Sequence, residues 1–260
     1  IQMAEAEWKN RKAERAGDPI AEPVYNLEDA EGVLKKLRPC HYNERIHVLE
    51  GVEIRFSDVG HLLGSAAIEI WLHEAGVERK IVFSGDVGNT NQPILRDPQP
   101  VAEADVLVIE STYGDRVHEK ARADYPRALA DVLRSAFERG GNVVIPSFAV
   151  GRTQEILYFL RQIKEEKLLP GYENFPVYLD SPLANEATAV FLQAGSESLD
   201  DQTNALIRSG INPIWFDGLK TSVTADESKQ INFDTTPKVI LSASGMCEAG
   251  RIRHHLKHNL

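Results

Sequence analysis

The stretch IVFSGDVG at residues 81–88 passes directly from an apolar strand pattern into an aspartate, Asp86, that is flanked by glycines. Two other stretches have the same design. GHLLGSA at residues 60–66 places His61 after a strand pattern, and IESTYG places Glu110 at the end of another apolar run. Loops at strand ends are where a rigid sheet can direct several functional groups into one cleft. The three segments therefore predict a cluster of polar side chains at one edge of a sheet.

The side chains of His61 and Asp86 are of the kind that metal centres use. Imidazole and carboxylate suit Zn²⁺ and similar ions, and a carboxylate can bridge two ions whereas an imidazole cannot. A single histidine or aspartate is more often structural, so the metal hypothesis depends on the order of the segments and on the glycines that lie beside these residues. It predicts that His61 and Asp86 approach each other closely, since ligands bond to a shared metal at about 2 Å.

Strand patterns surround these segments and predict the first half of the fold. They lie at 46–49, 52–56, 67–72 and 80–84. The run VLVI at 106–109 lacks alternation, which predicts a central strand covered on both faces. Two helix patterns precede all the strands, one at 5–15 and one that Asn26 can cap and that reaches Leu37.

After Gly114 the pattern changes to helices and strands in alternation. Helices are expected at 125–138, 153–164 and 183–192, with shorter ones around Ile207 and Ser228 and a last one from about Gly250, and strands at 142–145, 177–179 and 238–242. This alternation indicates βα units on a mostly parallel sheet and hence an α/β fold. The charged stretch 115–122 has no apolar period and is the expected domain boundary.

Six segments in the same order resemble motifs of the metallo-β-lactamase fold and of its β-CASP branch, which contains RNA-processing nucleases such as the pre-mRNA 3′-end endonuclease and its prokaryotic relatives. The later three are PSFAVGRTQE at 146–155, LDSPLA at 179–184 and SASGM at 242–246. The resemblance covers nearly the whole chain. It implies the second half of a metallo-β-lactamase αββα sandwich in residues 1–118, and an incomplete β-CASP domain with a mostly parallel sheet in residues 119–260.

The resemblance also implies a role for each residue of the predicted cluster. His61 would bind a metal, Asp86 would bridge two divalent ions, usually zinc, and Glu110 would stand beside them, oriented toward a catalytic histidine. In the family the metals polarise the scissile phosphate and lower the pKa of a bound water. The implied activity is metal-dependent hydrolysis of RNA, endonucleolytic or from the 5′ end, with Asp86 and Glu110 as catalytic residues.

Some family motifs have no counterpart in these 260 residues. The cluster H-x-H-x-D-H is absent, as are two later histidines in S-x-H-x-D and V-H-G contexts. Together with an isoleucine at position 1 and a C-terminus that follows a helix pattern without a turn signal, this predicts that the chain is a fragment. We accordingly expect it to carry only part of the active site and to be inactive alone.

Two strand-to-helix turns are candidates for substrate contact. Ser147 and Arg152 flank the turn in PSFAVGRTQE, where a helix N-terminus offers backbone N–H groups and Arg152 a guanidinium that matches phosphate. Ser244 and Gly245 form a second turn, whose small residues allow close approach of the backbone to a phosphate. Ordinary turn chemistry explains both segments nearly as well, so the resemblance decides in favour of substrate binding.

Other polar residues have simpler interpretations. Asp180 and Ser181 before Pro182 are typical of a helix cap. His254, His255 and His258 lack the glutamate of H-E-x-x-H, so we expect a basic helix face there and not a metal site.

Composition is that of a folded protein, with 42% hydrophobic and 26% charged residues. The net charge of -10 argues against broad coating of nucleic acid, although a local groove remains compatible with it. No secretory signal or membrane span is visible, so a cytoplasmic location without membrane contact is expected.

The expected partner is single-stranded RNA, and a homodimer is allowed. Two rival functions stay open: a small-molecule metallohydrolase of the same fold, such as a thioesterase, and a non-catalytic scaffold.

Overall fold

Asn26 begins helix α1 (Leu27–Leu34) with a reciprocal cap. Its side-chain oxygen accepts a hydrogen bond from the backbone N–H of Asp29 at 3.0 Å, and the Asp29 carboxylate accepts one from the backbone N–H of Asn26 at 2.9 Å. The predicted cap is confirmed, although the helix ends at Leu34. This helix belongs to one compact unit, residues 1–44, and the other elements belong to a second unit, residues 45–260.

The computed structural model describes residues 10, 13–14, 17, 19–20, 22–117 and 124–259. Most of the helix predicted at 5–15, and the later part of the expected boundary at 115–122, lie outside the described residues. Over the described part of the chain, no helix is long and apolar enough to cross a membrane.

The first sheet has five strands in the spatial order β1-β2-β3-β4-β5. They are β1 (Ile46–Leu49), β2 (Val52–Asp58), β3 (Ala66–Glu74), β4 (Val77–Phe83) and β5 (Val106–Val108). Strands β1 to β4 form an antiparallel meander, and β5 joins β4 in parallel. Strands β2, β4 and β5 therefore run in the same direction, so their carboxyl ends meet at one edge of the sheet.

The prediction for residues 106–109 is half wrong. A strand is present, but within the described part of the chain β5 is an edge strand that pairs only with β4, and the side chains from Val106 to Ile109 are 50–61% exposed. An apolar run without alternation shows that polar residues are missing from both faces of a strand. It does not show that other elements cover those faces.

The interior of the first sheet contains a buried carboxylate. Glu69 on β3 is fully buried, and it accepts hydrogen bonds from Arg55 at 2.8 and 2.9 Å and from Ser57 at 2.6 Å, while Lys80 lies 2.6 Å away. Burial acts to raise the pKa of Glu69, but the hydrogen bonds from Arg55, Lys80 and Ser57 outweigh it and lower the pKa to about 2. Glu69 is therefore a paired carboxylate that links three strands, β2, β3 and β4.

The second sheet is fully parallel, with strands β6 (Val143–Pro146), β7 (Val177–Asp180), β8 (Leu219–Thr221) and β9 (Val239–Ser242). Its spatial order is β6-β9-β7-β8. The α/β class with a mostly parallel sheet is confirmed. The sequence analysis missed β8, whose three residues are too few to show a period.

Helices connect these parallel strands and supply about half of the buried core cluster. They are α2 (Tyr125–Phe137), α3 (Arg152–Glu165), α4 (Pro182–Leu192), α5 (Asp201–Arg208), α6 (Ala225–Ile231) and α7 (Ile252–Asn259). Leu157 and Leu160 of α3 pack with Leu133 of α2 and with Val239 and Leu241 of β9 in one buried cluster.

The long connection between β4 and β5 ties the two sheets together. Within it, Ile94 is buried in the same core cluster as the helices, and its carbonyl accepts a hydrogen bond from the backbone N–H of Asp200 at 2.9 Å. Leu95 forms an isolated bridge with Leu199. The loop that follows Asp86 is thus anchored on the helices of the second sheet.

Candidate active site

The loop after β2 fixes the backbone of His61. Asp58 accepts a hydrogen bond from the backbone N–H of Gly60 at 2.8 Å, and Ser65 Oγ accepts from the N–H groups of His61 and Leu62 at 3.2 and 3.1 Å. Burial raises the pKa of Asp58, against the opposing effects of the Gly60 N–H and of Arg96. A loop bound at both of its ends holds the imidazole in a defined place.

Two glycines allow the His61 loop and the Asp86 loop to touch. The backbone N–H of Gly88 donates to the carbonyl of Val59 at 2.8 Å, and an added Cβ at Gly88 would overlap the carbonyl oxygen of Gly60. Gly60 itself has a φ of +60°, and a Cβ there would overlap the carbonyl of Arg96. Larger residues at positions 60 and 88 would push the two loops apart, which explains why the sequence has glycine at both positions.

His61 and Asp86 face each other across this contact. His61 Nε2 lies 4.0 Å from Asp86 Oδ2, and both side chains are exposed. The predicted proximity is confirmed. Their assignment as metal ligands stays a prediction.

Glu110 binds the loop that carries Asp86. Its carboxylate accepts a hydrogen bond from the backbone N–H of Val87 at 2.7 Å, and its own N–H donates to Ser84 Oγ at 3.1 Å. The Val87 N–H lowers the pKa of Glu110, helped by a hydrogen bond from Thr112 and by the charge of His61. In this structure Glu110 therefore holds Asp86 in position through the neighbouring backbone.

The donors present satisfy part of the coordination that a divalent metal needs. Imidazole and carboxylate are the right kinds of donor for zinc, and the 4.0 Å between His61 Nε2 and Asp86 Oδ2 does not exceed the sum of two metal–ligand bonds of about 2 Å. Among the described residues, however, no group of three or more His, Cys, Asp or Glu side chains could hold a metal. Zinc sites use at least three protein ligands, so these two residues do not make a complete site.

The turn between β6 and α3 lies directly beside the His61 loop. An added Cβ at Gly151 would come 2.5 Å from Cδ2 of Leu62, the residue after His61. Arg152 begins α3 with an exposed guanidinium that donates to Glu155 at 2.6 Å, and burial raises the pKa of Glu155 against the charge of Arg152. This contact brings the first predicted substrate turn close to the cluster.

Ser147 does not have the position that direct substrate contact requires. Its side chain is buried, and its hydroxyl lies 2.7 Å from that of Thr153, which in turn donates to the carbonyl of Phe148 at 2.6 Å. Ser147 directly follows β6 and Thr153 lies in the first turn of α3, so this pair of hydroxyls links the two ends of the turn. Ser147 thus holds the turn together from the inside.

The second predicted turn packs against the first. An added Cβ at Gly245 would be 3.3 Å from ring atoms of Phe148, and the Ser244 hydroxyl donates to the carbonyl of Ala249 at 3.4 Å. The backbone N–H of Ser147 donates to the carbonyl of Ser242 at 3.1 Å, which joins the ends of β6 and β9. Arg152, Ser244 and Gly245 therefore belong to two adjacent turns.

Sequence reasoning missed a buried polar network below these turns. Asp180, at the end of β7, is fully buried and bonds to Arg251 Nη1 at 2.8 Å and to His255 Nε2 at 2.5 Å. The hydroxyls of Ser222 and Ser228 also donate to its carboxylate. Burial acts to raise the pKa of Asp180, but hydrogen bonds from His255, the serines and Arg251 lower it to about 2.

The expected basic helix face is correct for His254 and His258, which are exposed, and wrong for His255, which is buried. His255 follows Ile252 by three positions and so shares its inward helix face, a signal that the sequence did contain.

The capping prediction is confirmed for Ser181, whose hydroxyl accepts from the Ala184 N–H at 3.3 Å. The Asp180 carboxylate bonds within the buried polar network instead of capping the helix.

The parallel sheet carries two adjacent turns at its carboxyl edge, and the first of them contacts the loop of His61, whose side chain faces Asp86. Residues 153–260 match the family model of the Beta-Casp domain. The metallo-β-lactamase assignment of the five-stranded sheet and the boundary at 118/119 stay predictions.

Relatives match over nearly the whole chain. It is 38% identical to Ribonuclease TTHA0252 of Thermus thermophilus over 92% of this chain and 53% of that protein. It is 34% identical to the RNase J-like protein of Methanocaldococcus jannaschii, over 90% of this chain and 52% of that one. It is 30% identical to Cleavage and polyadenylation specificity factor 73 of Drosophila melanogaster, over 88% of this chain and 32% of that protein. The chain thus spans about half the length of the first two relatives and about a third of the last.

Proposed function

We propose that this protein is a metal-dependent hydrolase of RNA phosphodiester bonds. The observation that carries the proposal is the exposed pair of His61 Nε2 and Asp86 Oδ2 at 4.0 Å, held by a glycine-to-glycine contact between two strand-end loops. The similarity to proteins named as ribonucleases supports RNA as the substrate. Single-stranded RNA, a cytoplasmic location and a homodimer are the finer parts of the proposal, and they rest on the resemblance.

We further propose that His61 and Asp86 are ligands in a centre of two divalent ions, with zinc as the metal. Such a centre, when filled, supplies Lewis acidity and a water of lowered pKa. The chain's own residues do the positioning. Glu110 fixes the Asp86 loop through the Val87 N–H, and Asp58 and Ser65 fix the His61 loop. The remaining ligands must come from residues other than these.

On the substrate side, Arg152 is proposed to bind a phosphate, and Ser244 and Gly245 to allow close approach of the RNA backbone. Arg152 offers paired donors in a geometry that matches phosphate oxygens. Its present partner is Glu155 in a partly exposed ion pair, which a phosphate could replace at small cost because such pairs contribute little. Ser147 is proposed to support the turn and not to touch RNA.

Cleavage of 5′-labelled single-stranded RNA by the zinc-loaded, full-length protein tests the proposal. Asp86→Ala and His61→Ala should each lower cleavage on the order of 100-fold or more and lower the bound zinc measured by atomic absorption, because each removes a ligand. Asp201→Ala, an exposed carboxylate on α5, is the matched control and should cleave normally.

Several outcomes would contradict the assignments. Zinc-dependent cleavage that survives Asp86→Ala would remove Asp86 from the metal centre. Thioester hydrolysis without RNA cleavage would favour the small-molecule metallohydrolase, and RNA binding without any hydrolysis would favour the scaffold. The 260 residues by themselves should bind zinc weakly and leave RNA intact, because two ligands leave most coordination positions to water.

A further inference from the structure

Phe148 is a large aromatic side chain that is 57% exposed at the tip of the turn between β6 and α3. Single exposed hydrophobic residues are common and need no explanation by themselves. Phe148 differs because hydrogen bonds hold the turn that carries it, and because two residues proposed to bind substrate lie nearby, Gly245 against its ring and Arg152 on the same turn.

The turn under Phe148 is rigid. Thr153 Oγ1 donates to the Phe148 carbonyl at 2.6 Å, and the N–H of Ser147 donates to the Ser242 carbonyl at 3.1 Å. The ring lies against Gly245, where an added Cβ would be 3.3 Å from its Cδ2 and Cε2 atoms. A side chain fixed in this way loses little conformational freedom when a ligand binds, which favours affinity.

The turn on which Gly245 lies is itself anchored to the buried network. Arg251, which follows this turn, bonds to Asp180 at 2.8 Å, and Ser242, which precedes it, donates to the Asp180 carbonyl at 3.0 Å. Both ends of the turn are therefore fixed to one residue of β7.

Phe148 also lies near the proposed metal ligands. Gly151, three residues along the chain, packs against Leu62, the neighbour of His61. Three residues of chain span at most about 10 Å, so the ring lies within a few nucleotides' reach of the His61 loop. The exposed guanidinium of Arg152 lies on the same turn.

We propose that Phe148 is a stacking platform for one nucleobase of a single-stranded RNA. The inference rests on the proposed function and adds a base-binding site to it. Proteins that hold single strands combine positive groups along the backbone with aromatic side chains under the bases, and such stacking tolerates any base. The platform would orient the strand as its phosphate passes Arg152.

The test measures binding by the full-length protein of two probes, an oligoadenylate and an abasic oligomer of the same length and charge. Phe148→Ala should weaken oligoadenylate binding about 5- to 100-fold and leave abasic binding unchanged, because only the base is lost from the contact. Phe148→Trp retains a stacking face and should bind within about threefold of wild type. Phe233→Ala is the matched control, since Phe233 is a 73% exposed phenylalanine elsewhere on the same unit.

The outcomes separate this inference from the proposed function. If wild-type protein binds and cleaves RNA but Phe148→Ala binds oligoadenylate equally well, the platform is wrong and the proposed function stands. If wild-type protein binds neither probe, both fail. Equal loss for both probes, or a lowered thermal midpoint in Phe148→Ala but not in Phe148→Trp, would assign Phe148 a structural role instead.

Discussion

Two apolar runs of similar composition have opposite environments in this protein. Val106 to Val108 forms an edge strand with about half of each side chain exposed, whereas Val239 to Leu241 is fully buried at the centre of the parallel sheet. Strand β9 has a neighbour on each side and contributes to the helix-covered core cluster, while β5 pairs on one side only. An apolar run therefore predicts a strand, whereas the neighbouring elements decide whether that strand is buried.

The largest effect is expected where the parallel sheet holds its buried charge. Asp180→Ala should cost about 3–5 kcal/mol in the free energy of unfolding, because it leaves Arg251 and His255 without their buried partner. Urea denaturation followed by circular dichroism measures this cost. Glu103→Ala, at an exposed carboxylate in the connection between β4 and β5, is the control and should stay within about 0.5 kcal/mol of wild type. A cost below about 1 kcal/mol for Asp180→Ala would show that the network contributes little.

A second pair of variants tests the two apolar runs directly. Leu241→Ala removes a fully buried side chain and should cost about 2–5 kcal/mol, whereas Leu107→Ala on the exposed edge should cost less than about 1 kcal/mol. The same denaturation experiment compares them. If Leu107→Ala costs as much as Leu241→Ala, the edge strand is covered in solution and the contrast between the two runs disappears.

Acid should weaken both sheets in a defined pH window. Asp180 and Glu69 have folded pKa values of about 2, below their ordinary values of 3.8 and 4.5. A depressed folded pKa means that the stabilisation is fully present above about pH 4.5 and is lost as the pH falls toward 2. The loss should be about 2–3 kcal/mol for each carboxylate.

Isosteric amides separate the two contributions to this acid response. Glu69→Gln should flatten the fall in stability below pH 4.5 that comes from the five-stranded sheet, and Asp180→Asn should flatten the part from the parallel sheet. Thermal unfolding from pH 2 to pH 7 measures both. An unchanged pH profile in either variant would mean that the carboxylate titrates at its ordinary pKa in the folded protein.

The sequence by itself determined the features that depend on local chemistry. Asn26 and Ser181 cap their helices as predicted, because a cap uses only the next three residues. The order of His61, Asp86 and Glu110 at strand ends also predicted that they would meet, since β2, β4 and β5 run in the same direction.

Only the tertiary structure decided which of these and other residues face solvent. The burial of His255 and Ser147, the exposure of β5 and the contact of Gly151 with Leu62 all depend on elements distant in sequence. The type of a residue and its position in the hydrophobic pattern indicate what it can bind. Packing of remote strands and helices determines what it does bind, because burial and pairing are set by neighbours that local sequence does not specify.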